Sequence, residues 1–439
     1  MTKTIRLLMA FVLLSTPCTH GQEIRQMSMA ELFTLANRQN PDIGAADAKI
    51  AAARQGEAVA KNALLPQISA SLTLSYLGDG TVLDRDFGNA MRDRLPHFSN
   101  SLSVELYQPL YTGGAISSGV RLAEKDTEMA INNRTNSVNS IRMAIATNYL
   151  ELAKHRNLIQ VYEENIRLTE KLLAAMKAKH SQGIVLKNDI TRYELRRSSL
   201  SYDSLATANA IRIFNKNLVS LLGLEAATEI IPDIEADGSL IIAGDANTWI
   251  ESAVANSPSL KSLDILTGMS SLNRKIAHSE YIPKIGLVAG DNFLGPVTFE
   301  VPALNKNYNA WFVGVNVKWN ISSLFTTPKS TRKHDLELAR IQRDTESVTA
   351  EIERRISEAA TLYRQSIERL EIERKNVQLA EGNYAVVSNR FNNQLSLLTD
   401  MLDASNARLD AGVRLVNAEI STRFYYYQLH YIAGTLSTL

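Results

Sequence analysis

The amino-acid sequence predicts a mixed α/β membrane protein, internally duplicated, whose strands close as a trimeric 12-stranded β-barrel and whose long helices continue that barrel as an α-helical one. Three observations predict it. The chain aligns with itself at a spacing near half its own length. Each half holds two segments in which apolar and polar residues alternate for about ten positions, the length a tilted strand needs to cross a bilayer. Each half then closes with two runs almost free of Gly and Pro, far longer than the helices of a compact domain.

The opening residues, MTKTIRLLMAFVLLSTPCTHGQE, place Lys3 and Arg6 ahead of an apolar run from Leu7 to Leu14, followed by Pro17 and a small-residue site at Thr19-His20-Gly21. That is the build of a secretory signal peptide over 1–21, and the mature chain is expected to begin near Gln22. The single cysteine, Cys18, lies in this leader, and Pro17 directly before it fits a lipoprotein processing site poorly. The mature chain therefore uses no disulfide in a compartment that permits them. With 47 basic side chains against 46 acidic ones in 439 residues, no nucleic-acid partner is indicated. No run of about 18 apolar residues follows the leader, so a membrane crossing has to be a closed β-barrel, which leaves no backbone group unpaired in lipid.

The duplication is specific. NPDI at 40–43 answers to SPSL at 257–260, and LLPQISA at 64–70 to YIPKIGL at 281–287, both at an offset of 217. GIVLKNDI at 183–190 answers to QLSLLTDM at 394–401, and LLG at 221–223 to IAG at 432–434, now at an offset of 211. The offset changes in the loop between the strands, where insertions are tolerated. Two repeats follow, 22–230 and 231–439.

Each repeat opens on a helical stretch, 28–62 and 246–279, which a proline ends before a strand begins. In QISASLTLSY, Ile68, Ala70, Leu72, Leu74 and Tyr76 alternate with Gln67, Ser69, Ser71, Thr73 and Ser75, which predicts a strand over 67–77. SLSVELYQPL predicts another over 101–110, through Leu102, Val104 and Leu106. The second repeat predicts strands over 284–293 and 310–321, the latter with Trp311, Val313, Val315, Val317, Trp319 and Ile321 on one face. An ordinary antiparallel sheet with one wet face alternates too. Aromatics at the ends of the apolar face, and long polar loops at 78–98 and 291–309, favour lipid. Tyr76, Tyr107, Trp311 and Trp319 are the membrane-interface aromatics expected on this reading.

Long helices are predicted over 115–182, 187–222, 328–392 and 397–436. At about 1.5 Å per residue the longest extend roughly 100 Å. Within 328–392, Val348, Ile352, Ile356, Ala359, Tyr363, Ile367 and Leu370 form an 11-residue repeat, which predicts nearly straight packing with a slight right-handed twist. Four strands per chain cannot close a barrel. Two copies give eight strands around an interior filled by side chains, whereas three give twelve and leave room for a lumen lined by the Ser, Thr, Gln and Asn faces. The helices would then continue into the periplasm as a tube.

The whole mature chain resembles the TolC family of outer-membrane efflux channels, in its duplicated layout, in YQPLYTGG at 107–114 between a strand and a long helix, and in LLTDMLDAS at 397–405. The resemblance implies a homotrimer in the outer membrane of a Gram-negative bacterium, seated in lipid with a long periplasmic portion. It would be the exit duct for substrates that an inner-membrane RND or ABC transporter delivers through a periplasmic adaptor (membrane fusion) protein. The resemblance further implies that Asp400 and Asp403 ring a periplasmic aperture and attract cations there, with Phe391, Asn188 and Asp189 beside them. The helix tips, Gly183, Ile184 and Val185 in one repeat and Gln394, Leu395 and Ser396 in the other, would meet the adaptor. Three positions depart from the family pattern. Phe391 stands where the family often has Tyr, Gln394 replaces the glycine kept as Gly183, and Ser396 sits where some members carry an Arg that helps lock the closed state. Taken alone, Asp400 and Asp403 also read as a solvated pair near a helix start, favoured by the helix dipole, although a like-charge pair at i, i+3 costs about 0.2–0.5 kcal/mol.

Catalytic chemistry is not indicated. His97, His155, His180, His278, His334 and His430 show no metal-ligand spacing, no G-x-G-x-x-G or phosphate loop follows a strand, and H-E-x-x-H does not occur. Gly113-Gly114 reads as a strand-to-helix bend, the tyrosines 425–427 with Phe424 and Tyr431 as helix packing, and the scattered methionines as no soft-metal site. No enzyme activity, cofactor or metal is expected. Two other readings share the long helices: an outer-membrane duct for type I protein secretion, and a secreted helical scaffold whose sheet packs on another protein.

Overall fold

The structure, a computed structural model, describes residues 24–234, 245–300, 302–393 and 395–438. The predicted leader with Cys18, and Gln394, lie outside these residues. The first repeat comprises β1 (Ile24–Met27), α1 (Met29–Gln39), α2 (Pro41–Lys61), β2 (Gln67–Tyr76), a small hairpin of β3 (Gly80–Val82) and β4 (Met91–Asp93), β5 (Phe98–Tyr111), α3 (Ala115–His180) and α4 (Lys187–Leu222). β6 (Glu229–Pro232) spans the expected boundary between the repeats, and α5 (Ala246–Asn256), α6 (Pro258–Ser279), β7 (Lys284–Gly295), β8 (Tyr308–Lys318), α7 (Ser323–Asn392) and α8 (Leu398–Ile432) follow it.

The stretches 28–62 and 246–279, expected as single helices, are each two. Asn40 breaks the first: its Oδ1 accepts from the N–H groups of Asp42 (2.9 Å) and Ile43 (3.1 Å), and Pro41 starts α2 where no N–H is needed. Ser257-Pro258 breaks the second at the equivalent place. Helix α7 begins ahead of the predicted 328 and carries Pro328 in its second turn, where the missing N–H forfeits one helical hydrogen bond. Strand β8 ends at Lys318 and α8 at Ile432, short of the predicted 321 and 436.

The chain divides into two compact units, each drawing on both repeats. One holds Ala48–Asn132 and Leu260–Ser347. Its centre is an antiparallel sheet in the order β2-β5-β7-β8, with β2 and β8 as edges. Its helical segments are tied by Asn132 Nδ2 donating to Ser262 Oγ (2.8 Å) and Arg274 Nε donating to Asp335 (2.6 Å).

The other unit holds the chain up to Asp47 with Asn133–Ser259 and Val348–Leu439. Its core gathers Leu32, Phe33 and Ala36 of α1, Ile145, Tyr149 and Leu152 of α3, Leu218 and Leu222 of α4, and Tyr427 of α8. Burial of each such Leu or Ile is worth about 2 kcal/mol. Strand β1 pairs in parallel with β6, and the Tyr149 hydroxyl donates to the Met27 carbonyl (3.0 Å). Helices α4 and α8 end alike. Gly223 and Gly434 both take the left-handed conformation (φ +64° and +72°). A Cβ on the first would stand 2.8 Å from the Gln39 carbonyl oxygen, and on the second 2.5 Å from that of Asn256. Each glycine thus docks its helix end on the α1–α2 or α5–α6 junction.

The seam of α7 departs from expectation. Ile367 is 41% exposed, while Ser366 and Glu373 are buried. Among its half-buried and buried positions are Ile352, Ile356, Ala359, Tyr363, Ser366, Leu370, Glu373, Val377, Ala380, Tyr384, Val387 and Phe391. From Ile352 on, these positions are spaced alternately four and three, a heptad spacing, and Ser366 takes the place in the seam that was expected of Ile367. The hydroxyl of Ser366 bonds back to the Tyr363 carbonyl (2.6 Å), which lets a polar residue occupy the seam.

Candidate functional site

The register of the sheet fixes its two faces. Ile68 is paired with Leu106, Ala70 with Val104, and Leu72 with Leu102; onward, Leu106 meets Ala289, which meets Val313. The side chains of this face are mostly apolar and exposed or half-buried, with Trp311 and Tyr76 each 75% exposed. The opposite face carries Gln67, Ser69, Ser71, Thr73 and Ser75 of β2 against Tyr107, Glu105, Ser103, Ser101 and Ser99 of β5. Ser71 and Ser103 share a cross-strand hydrogen bond of 2.7 Å.

The apolar band runs obliquely across the hydrogen-bond rows. On β2 it extends from Ile68 to Tyr76. Its upper aromatic on β8, Trp311, stands in the row of Asp291, Val104 and Ala70, six residues short of Tyr76. Six residues amount to about 20 Å over three inter-strand steps of about 5 Å. Strands inclined to a membrane produce such a slant, as barrel strands tilted about 35–45° do. On β7, Asp291 shares the row of Trp311, and Asn309 donates to its carboxylate (2.8 Å).

Of the four expected interface aromatics, Trp311 and Tyr76 sit on the apolar face, Tyr76 stacked on His97 at 5.0 Å. Trp319 lies just beyond β8, its Nε1 donating to the Tyr281 carbonyl (3.1 Å). Tyr107 is on the other face, paired with Gln67 and Val288, its ring over Gly286. The alternation through Leu102, Val104 and Leu106 forces this, because an odd step along a strand reverses the side chain.

In the other unit the two helix tips are built alike. Helix α3 ends with Gly183 in the left-handed conformation and the Ile184 N–H bonded to the Lys179 carbonyl (3.0 Å). The α7–α8 tip repeats that bond from Leu395 to Arg390 (2.7 Å). Helices α4 and α8 then start after Leu186 and Leu397, leucine N-caps that offer no side-chain acceptor. Asp189 and Asp400 occupy the same third position of the two helices. Asp400 accepts the Leu397 N–H at 2.9 Å, which satisfies one otherwise unmet donor and places a negative charge on the helix N-terminus. Asp403, one turn on, is exposed and makes no ion pair among the described residues. Asn188 is exposed beside Asp189. Val185, Leu398 and Leu402 pack on a core of Leu173, Met176, Ile190 and Tyr193, so the first turns of α4 and α8 are brought together on the end of α3. Phe391 receives the Lys179 ammonium 5.5 Å from its ring centre, and Ser396 Oγ reaches the Val387 carbonyl at 3.5 Å.

One group here was not foreseen. Arg408 of α8 bonds Glu164 of α3 (2.7 Å) and lies over the ring of Tyr384 of α7, 5.1 Å from its centre. Burial raises the Tyr384 phenol above its ordinary value, and burial raises Tyr193 further. The Tyr193 hydroxyl is buried without a hydrogen-bond partner among the described residues. The heptad position of Tyr384 is the one signal the sequence holds for this cluster.

A family profile described as "Outer membrane efflux protein" matches residues 32–208. The outer membrane protein TolC of Vibrio cholerae serotype O1 is 22% identical over 416 residues, which cover 93% of this chain and 91% of that one. The outer membrane efflux protein BepC of Brucella suis biovar 1 is 22% identical over 417 residues, covering 94% and 86%. Among solved structures, the outer membrane protein VceC of Vibrio cholerae has the same fold, with a TM-score of 0.75 at 14% identity, over 92% of this chain and 96% of that one.

Proposed function

We propose that this chain, which belongs to the outer membrane efflux protein family, is the outer-membrane channel of a tripartite export system and not an enzyme. It offers an exit duct from the periplasm for molecules that an inner-membrane transporter hands over through a periplasmic adaptor. The observation that carries this reading is the sheet: two-faced, obliquely banded, and open at both edges. In lipid the unpaired backbone of β2 and β8 has to find partners, and copies of the chain are the source at hand. Three copies make twelve strands and a lumen.

The helices support assembly as well. On α7, Ile372, Leu379 and Val386 recur every seventh residue and are about 60% exposed (59%, 62% and 58%), a stripe apart from the buried seam. Helix α4 exposes Leu195, Tyr202 and Leu205. Such stripes are what neighbouring helices in a tube cover. Asp400 and Asp403, with Asn188, Asp189 and Phe391 close by, line the aperture in this reading, and residues 183–185 and 395–396 are the adaptor-facing tips. Native mass spectrometry of the detergent-extracted protein tests the assembly: a three-chain mass is expected, and a monomer that dissolves without detergent would refute it.

A further inference from the structure

We propose that Glu105, with Phe312 beside it, forms a binding band for aromatic cations on the lumenal wall of the barrel. The inference rests on the channel reading above and adds to it a place where cargo chemistry is sensed.

Glu105 points to the polar face, between Ser69 of β2 and Gly290 of β7. Along that face the four strands otherwise carry Ser, Thr, Gln, Asn, Gly and a few uncharged larger side chains, with Lys284 and Lys318 paired at one end. Glu105 is thus its single acid. It is exposed and makes no ion pair among the described residues. No neighbour neutralises it, and a carboxylate in a lumen attracts cations from solution.

What lies next to the acid narrows the class of cation. Gly290 pairs with Glu105 on one side and with Phe312 on the other. The Phe312 ring lies across this glycine, so that a Cβ there would stand 2.6 Å from it. The ring therefore covers the strand between its own and that of Glu105, and nothing rises between aromatic surface and carboxylate. A cation with an apolar ring can set its charge at Glu105 and its ring on Phe312, where the π-system adds a cation–π attraction. Both groups face water, so the contact is weak, as passage demands of a site that has to release what it binds. Each copy in the barrel contributes one such pair.

The test is block of single-channel current by benzyltrimethylammonium added on the side of the β3–β4 hairpin. Glu105→Gln should raise the half-blocking concentration at least fivefold, and Glu105→Asp should restore most of the wild-type value. Phe312→Leu should weaken block by benzyltrimethylammonium but not by tetramethylammonium, which has no ring. Current through Glu105→Gln that is blocked as in the wild type would overturn this inference alone. A wild-type protein that carries no current would overturn the channel reading, and the band with it.

Discussion

Asp400 has two roles that substitutions can separate. Its carboxylate accepts the Leu397 N–H at 2.9 Å, and Leu397 itself offers no capping oxygen. Asp400→Ala removes this acceptor and the favourable charge at the helix start. Losing a cap costs about 0.5–2 kcal/mol, and the charge near an exposed N-terminus about 0.3–1 kcal/mol. Water can reach the freed amide, so a net loss of about 1 kcal/mol is the reasonable figure. A local opening easier by that amount speeds hydrogen exchange of the Leu397 amide about fivefold. Asp400→Asn keeps an acceptor while removing the charge, and should fall between wild type and alanine. Asp403 makes no such bond, so Asp403→Ala should leave exchange at the tip within about twofold of wild type. The assay is hydrogen–deuterium exchange on peptides spanning 393–405 in the detergent-solubilised protein. Equal exchange in wild type and Asp400→Ala, or equal effects of the two alanines, would refute the capping role.

Three further outcomes are expected. Gly434→Ala puts a side chain on a residue with φ +72° and a Cβ 2.5 Å from the Asn256 carbonyl oxygen. The conformation alone costs about 1–2 kcal/mol, so the thermal midpoint should fall, and fall further than for Gly223→Ala, whose contact is looser. Burial beside Trp249 and Tyr426 holds the His430 imidazole down at about 4, against an ordinary 6.5. The unfolded chain then binds more protons between those values, so stability should decline as pH falls from 6.5 to 4, and His430→Gln should flatten that part of a Tm–pH profile. Arg408→Ala removes the partly exposed bond to Glu164, at about 0.5–1 kcal/mol, and should be read as faster protease nicking at residues 181–186.

Much of this fold was legible in the sequence because its period is long and uniform. Ten residues of alternation in β2, and dozens without Gly or Pro in α3 and α7, leave one structure each as the consistent choice. The four-residue β1 and β6 carry no period, and their parallel pairing joins residues two hundred positions apart, so no local signal exists. The split of the opening stretch turned on one side chain, Asn40, whose cap outweighs continuation of the helix. The α7 seam went astray at one step, where Ile367 was the more apolar choice but Ser366 holds the position by bonding its own helix. At the candidate site, the places of Asp400 and Asp403 on one helix start followed from their spacing. The Leu397 bond did not, since it depends on where α8 begins. Tyr107 was misplaced by residue type, although strand parity already assigned it to the polar face.

Single-channel recording of the purified protein in a planar bilayer, wild type against Asp400→Asn/Asp403→Asn, tests most directly whether this chain is a channel with its constriction at the helix tips. Asparagine is chosen so that the Leu397 cap survives and charge alone is changed. The expected result is a cation-preferring conductance in the wild type whose preference drops in the variant. A protein that stays in buffer without detergent and carries no current would contradict the channel itself, and a conductance with unaltered selectivity would contradict the placement of its aperture at Asp400 and Asp403.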